Sequence, residues 1–85
     1  MRIVLHRTFE KQIKKLPSKI QATYKIRRDV FLEDPFHPLL DNHSVDRAFP
    51  GCRSINITGD YRVIFKAQDG IAHFLKIGSH SELYS

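Results

Sequence analysis

Apolar residues recur along this chain with two periods, and the change from one to the other falls at Asp34-Pro-Phe-His-Pro38. Before it, Phe9, Ile13 and Leu16 follow the i, i+4, i+7 spacing of an amphipathic helix, with Thr8 placed as its N-cap. Leu16-Pro17-Ser18 ends that helix and starts a second, because proline is tolerated at a helix start and Ser18 can cap it. The second helix presents Ile20, Tyr24, Val30 and Phe31 among basic residues and stops before Pro35. So tight a connection predicts an antiparallel helical hairpin. Ahead of it, Arg-Ile-Val-Leu over residues 2–5 predicts a short first strand.

Beyond Pro38 the period is two. Residues 52–57, 60–66 and 71–77 read as three strands, divided by Thr58-Gly59 and by Gln68-Asp69-Gly70, where Asp-Gly is a strong hairpin signal. Connections this short predict an antiparallel meander, and the order of elements predicts an α+β fold. Parity assigns the faces of the sheet. Ile55, Ile57, Tyr61, Val63, Phe65, Ile71, Leu75 and Ile77 are odd-numbered and apolar, and are expected to pack under the helices. Asn56, Asp60, Arg62, Lys66, Lys76 and His80 are even-numbered and polar, interrupted by Ile64 and Phe74. A half-buried sheet shows the same alternation with no function at all. That reading does not account for a carboxylate, an imidazole, an amide and a guanidinium gathered on one side.

Composition narrows the partners. Eighty-five residues, 41% of them hydrophobic, fit a single domain spanning 1–85 with a modest core. Fourteen Lys and Arg against nine Asp and Glu give a net charge of +5 and a pI near 9.7, so an acidic partner is expected. Nucleic acid comes first, with an anionic membrane or an acidic protein segment as competitors. No apolar run approaches the roughly 20 residues of a membrane span, and the amino terminus is too short for a signal peptide, so a cytoplasmic chain is expected. Cys52 is the single cysteine, which excludes an internal disulfide. The five histidines have neither close ligand spacing nor cysteine partners, so neither a metal nor a cofactor is expected.

Chemistry concentrates at the carboxy terminus, where Gly78-Ser-His-Ser-Glu-Leu-Tyr84 sets an imidazole, a carboxylate and a phenol directly after the apolar run Phe74-Leu-Lys-Ile77. Together with Leu40-Asp-Asn-His43 and Pro50-Gly-Cys-Arg-Ser-Ile-Asn-Ile-Thr-Gly-Asp-Tyr-Arg-Val-Ile-Phe65, this stretch resembles the RelE/ParE toxin superfamily, closest to its YafQ-like and RelE/StbE-like branches. The helix pair with Phe9, Leu16 and its basic residues fits as well, so the resemblance covers nearly the whole chain. It implies a helical hairpin packed on a curved antiparallel sheet of three to four strands. It also implies the toxin of a type II toxin–antitoxin pair, an mRNA interferase that cleaves messages in the ribosomal decoding site without a metal. A neutralising antitoxin would cover or distort the site.

Carried over by position, the resemblance makes His43, Asp60, His80 and Tyr84 the YafQ-like site residues, with Asn56 standing where that pattern has a further histidine. Arg62 matches the RelE-like arginine after an aromatic. Arg53 matches a basic residue on the preceding strand, although its parity groups it with the apolar face unless a bulge intervenes. Cleaving RNA through its own 2′-hydroxyl requires a base, an acid for the departing 5′-oxygen, and positive charge near the phosphorane oxygens. On that chemistry His80 is the candidate acid and Asp60 or His43 the base. Arg62 neutralises charge with its planar fork, and Tyr84 stacks on a nucleobase.

Plain structural roles stay open to each: an exposed turn histidine for His43, a turn-ending aspartate for Asp60, a solvated ion pair for Arg62, and a core cap for Tyr84. Lys11, Lys14, Lys15, Lys19, Lys25, Arg27 and Arg28 lie on the helical hairpin, where they are either a solvated face or contacts to ribosomal RNA phosphates. Two other readings of the same family remain: a non-enzymatic ParE-type inhibitor of DNA gyrase, and a toxin-like binding module that has lost catalysis, for which Asn56 is the hint.

Overall fold

In the computed structural model, which describes residues 1–85, the elements run β1 (Arg2–Leu5), α1 (Arg7–Lys14), α2 (Ser18–Glu33), a 3₁₀ turn (Pro38–Leu40), β2 (His43–Ser44), β3 (Arg53–Asn56), β4 (Tyr61–Gln68), β5 (Ile71–Ser79) and α3 (His80–Tyr84). The hairpin forms about Pro17 as its sequence predicts, but the caps sit earlier. His6 occupies the N-cap position of α1 and Pro17 that of α2, neither with a side-chain cap, so Thr8 and Ser18 lie inside the first turns. The reason is the preceding strand: the His6 N–H still donates to the Phe74 carbonyl at 3.0 Å, so the sheet delivers the chain directly into the helix. Gln21 closes the corner by donating its amide to the Leu16 carbonyl at 2.9 Å.

The strands form one five-stranded sheet in the order β1-β5-β4-β3-β2. Its central meander is antiparallel, as expected, and the Asp69-Gly70 turn uses two residues with positive φ, 54° and 76°, the geometry of a tight hairpin. One strand, β2, enlarges the expected sheet, and the expected first strand over residues 2–5 joins it in a parallel rather than antiparallel sense. β2 has only two residues, too few to show alternation in a sequence, and pairs antiparallel with β3. β1 pairs parallel with β5, because the helical hairpin returns the chain across one face before the meander begins.

Strict parity fails in β5. Ile64 pairs with Lys76 but Phe65 pairs with Phe74, so Leu75 is an extra residue, a β-bulge that reverses the faces on its two sides. Ala72 and Phe74 therefore enter the core from the first half of the strand and Ile77 from the second, while Ile71 and Leu75, expected inside, are only half-buried. The core is aromatic: Phe31 meets Phe65 at 5.2 Å between ring centres, and Phe74 lies 5.7 Å from Phe9 and 5.5 Å from Phe31. Edge and tilted arrangements of this kind add to the burial of the rings themselves. Tyr24 joins them, and burial pushes its phenol up to about 12.

β1 reaches only as far as Phe74 along β5, which leaves the outer edge of the strand's second half unpaired. Side chains occupy it. Gln12 of α1 accepts the Ile77 N–H at 2.9 Å, and Glu82 of α3 accepts the Ser79 N–H at 2.8 Å.

Candidate active site

The helices cover one face of the sheet; the residues of interest lie on the other. Cross-strand register places His43, Ser54, Ile64 and Lys76 in one row of this open face, and Asn56, Arg62 and Gly78 in the next. Ser54 and Ile64, at the middle of the first row, are fully buried. The segment between β2 and β3 folds over this side on its own hydrogen bonds, Val45 N–H to Cys52 at 3.0 Å, Phe49 N–H to Val45 at 2.8 Å and Cys52 N–H to Phe49 at 3.0 Å. Cys52 is buried at its end and burial pushes its thiol up, as suits an apolar filler.

Arg62 is held by Asn56, whose side-chain oxygen accepts from the guanidinium at 3.0 Å, while its Nε is buried without a partner. Asn56 is thus an orienting group. The strand ladder continues one step past β4, since the His80 N–H donates to the Asp60 carbonyl at 3.0 Å. His80 is therefore the diagonal neighbour of Arg62, with backbones about 7–8 Å apart, a separation long side chains bridge. A run of contacts ties the His80 ring to the open face: it lies 4.7 Å from Tyr84, Tyr84 lies 5.6 Å from Phe49, and the Lys76 ammonium sits 5.5 Å from the centre of the Phe49 ring. Beside Tyr84 lies a shallow depression of about 240 Å³, lined by Ser44, Val45, Asp46, Arg47 and Ala48.

α3 is fixed by a reciprocal cap. Ser79 Oγ accepts from the Glu82 N–H at 3.2 Å, and the Glu82 carboxylate accepts from the Ser79 N–H. The backbone bond from Ser79, then its hydroxyl, holds the Glu82 carboxyl below its usual range. At the opposite edge, His43 Nδ1 lies 2.7 Å from the Asp41 carbonyl. A carbonyl only accepts, so Nδ1 carries the proton, and in the neutral ring Nε2 is the free acceptor. The Asp41 carboxylate adds a weaker contact at 3.8 Å. Asp60 is exposed in the turn after Thr58, whose hydroxyl accepts its N–H at 3.3 Å.

Arg53 is not part of this group. It pairs with Phe65 on the helix side, donates to the Asn42 side chain at 2.7 Å and stacks 5.4 Å from the centre of the Phe36 ring. No bulge moves it across, so the parity reading prevails over the family match. Of the helical cations, Arg27 is engaged with the Leu39 carbonyl at 2.7 Å and Arg28 with Asp29 at 3.2 Å, whereas Lys11, Lys14, Lys15, Lys19 and Lys25 are exposed. Two residues of the open face, Lys76 and Phe49, were given no role in the site expected from the sequence. Lys76 carried a signal, its polar parity; Phe49, in an irregular segment, carried none.

With this geometry the comparisons are decisive about kinship. A family model described as the ParE toxin of type II toxin–antitoxin system, parDE, matches residues 3–84. The chain belongs to this toxin family. It is the toxin of a type II system, and its fold is that of the YafQ and RelE toxins. The crystal structure of YafQ from E. coli strain BL21(DE3) superposes with a TM-score of 0.83 at 19% identity, covering 100% of both chains. YafQ in the E. coli DinJ–YafQ toxin–antitoxin complex gives 0.80 at 17% identity, over 98% of the toxin and 96% of that chain. The RelB–RelE antitoxin–toxin complex of Methanococcus jannaschii gives 0.76 at 17% identity, over 95% and 94%. No curated protein sequence matches the toxin. None of its helices is long and apolar enough to cross a membrane.

Proposed function

We propose that the toxin is a ribosome-dependent endoribonuclease that cleaves messenger RNA through the 2′-hydroxyl by acid–base chemistry, acting in the cytoplasm and neutralised by a cognate antitoxin. The observation that supports this reading is the backbone register that makes Arg62 and His80 diagonal neighbours, a spacing over which two long side chains could reach one phosphate. In the proposed reaction a base takes the 2′-hydroxyl proton, the oxygen attacks phosphorus, and the 5′-oxygen leaves with a proton from His80. His43 Nε2 has the lone pair the base needs; Asp60, beside His80 in the ladder, is the other candidate. Arg62 and Lys76 supply positive charge to the equatorial oxygens, and Tyr84 stacks against a base. Asn56 takes no proton and instead keeps Arg62 aimed. Contact of the exposed helix lysines with ribosomal RNA would hold the domain in place, in a salt-dependent way.

Mapping message ends after induction in translating cells tests the proposal: cuts positioned by codon are expected. The ParE description of the matching family favours a second reading, gyrase inhibition, for which messages stay intact and gyrase-linked DNA damage appears. Absence of any growth defect points instead to a binding module without catalysis.

A further inference from the structure

The open face carries a second group of basic side chains that the proposed reaction leaves unused. Lys66 pairs across β4 and β5 with His73, which pairs in turn with Val4 of β1, so these three share a face. His6, two residues beyond Val4, continues on that side, and its ring meets that of His73 edge-on at 5.5 Å. Arg2 precedes Val4 by the same step. Lys66 is exposed, with its ammonium end running past Gly51, and His6 and Arg2 are exposed as well; His73 is half-buried. None of these side chains makes an ion pair, although the Asp46 carboxylate, which accepts the Gly51 N–H at 2.6 Å, lies near the Lys66 ammonium. Three strands thus set an ammonium, a guanidinium and two imidazoles along one face, the ammonium leaning toward Gly51, and all can donate hydrogen bonds.

Such a surface offers hydrogen-bond donors and positive charge to an anion. Its position identifies the anion. Lys66 lies four residues along β4 from Arg62, on the same face, a separation of about 13 Å at the rise of a strand. Lys76, in the row between, stands partway along. That spacing is too long for the oxygens of one phosphodiester and suits phosphates further along the same polynucleotide. Imidazole rings are also among those on which RNA bases stack, a contact an acidic peptide lacks even where its carboxylates accept a hydrogen bond.

We propose that Lys66, His73 and His6 form a second phosphate-binding subsite, which holds single-stranded RNA flanking the linkage bound at Arg62. The subsite rests on the RNA-cleaving reading above and makes the sheet a track for several nucleotides rather than a pocket for one.

The test uses the intact toxin and fluorescein-labelled 2′-O-methyl RNA, which cannot be cleaved, as a dinucleotide and as a hexanucleotide, with binding read by fluorescence polarisation across a salt series. The hexanucleotide is expected to bind at least about tenfold more tightly. Lys66→Gln should weaken the hexanucleotide about fivefold and lower the slope of log affinity against log salt by about 0.7, the contribution of one phosphate contact on a single strand. His73→Gln with His6→Gln should give a further loss for the hexanucleotide, with circular dichroism confirming the fold. The dinucleotide, too short to reach, serves as control. Equal binding of the two lengths, or an unchanged slope in Lys66→Gln, overturns the subsite. So does a decaglutamate peptide that binds as well as the hexanucleotide and loses affinity equally in Lys66→Gln, since the surface is then a site for acidic protein. Intact messages in the mapping experiment, with length-dependent RNA binding preserved, count against cleavage and leave the subsite standing.

Discussion

Asn56 is the position at which stability and activity should part company. Its side-chain oxygen is the acceptor for Arg62 at 3.0 Å, and the guanidinium already has a buried Nε without a partner. A hydrogen bond to a charged group contributes about 1.5–3 kcal/mol, and partial exposure of Arg62 argues for the lower end. Asn56→Ala should therefore cost about 1–2 kcal/mol, which for a domain of this size lowers the melting temperature by roughly 4–8 °C per kcal/mol. The freed guanidinium loses its aim, and about 1.4 kcal/mol of lost positioning is about tenfold in cleavage rate. Asn56→Asp separates the two effects. An aspartate keeps the hydrogen bond and adds an ion pair worth about 0–1 kcal/mol, so stability holds or rises. The same carboxylate competes with phosphate for Arg62, so cleavage should fall by at least the amount lost in Asn56→Ala. Thermal denaturation followed by circular dichroism, with primer extension on cleaved messages, reads both quantities. An Asn56→Asp toxin that is as unstable as Asn56→Ala, or that cleaves at the wild-type rate, would refute the orienting role.

Other expectations follow from the same geometry. His80→Ala should abolish message cleavage and leave the fold and ribosome association intact, because the ring is exposed; near wild-type cleavage removes it from the mechanism. Charge reversal at Lys14 and Lys15 should weaken ribosome association and flatten its salt dependence, as measured by co-sedimentation; unchanged association makes those charges solubilising only. Glu82 has a folded-state pKa below its unfolded one, so its stabilisation of α3 is fully present above the unfolded value and is lost as pH falls through the folded value. The Tyr84 ring resonances should report α3 fraying in that acidic window, and Glu82→Gln should remove the transition. Phe74→Ala should cost about 3–5 kcal/mol, read by urea denaturation, since the ring is fully buried among Phe9, Tyr24, Phe31 and Phe65.

The helical hairpin and the meander were legible in the sequence because each rests on a local signal: Pro17 between two periodic runs, and Asp69-Gly70 between two alternating ones. The faces of β3 and β4 followed from parity for the same reason. β5 escaped because a bulge is a tertiary adjustment, its trace being the two adjacent apolar residues Phe74 and Leu75. β1 was legible as a strand but not as the parallel partner of β5, which lies far off in the sequence, and β2 is too short to show alternation. At the candidate site, parity identified the open-face residues Asn56 and Arg62 and kept Arg53 with the apolar side, whereas Phe49 depends on how an irregular segment closes over the sheet.

The outer rim of β5 has a consequence for assembly. An uncovered strand margin invites any extended chain to zip onto it, whether another copy of the toxin or a misfolded neighbour. Here an amide from α1 and a carboxylate from α3 stop two of the vacant main-chain donors, so a newcomer must first evict both. Recruitment at that margin is thereby made conditional on loosening α3, the same short helix that carries His80 and Tyr84.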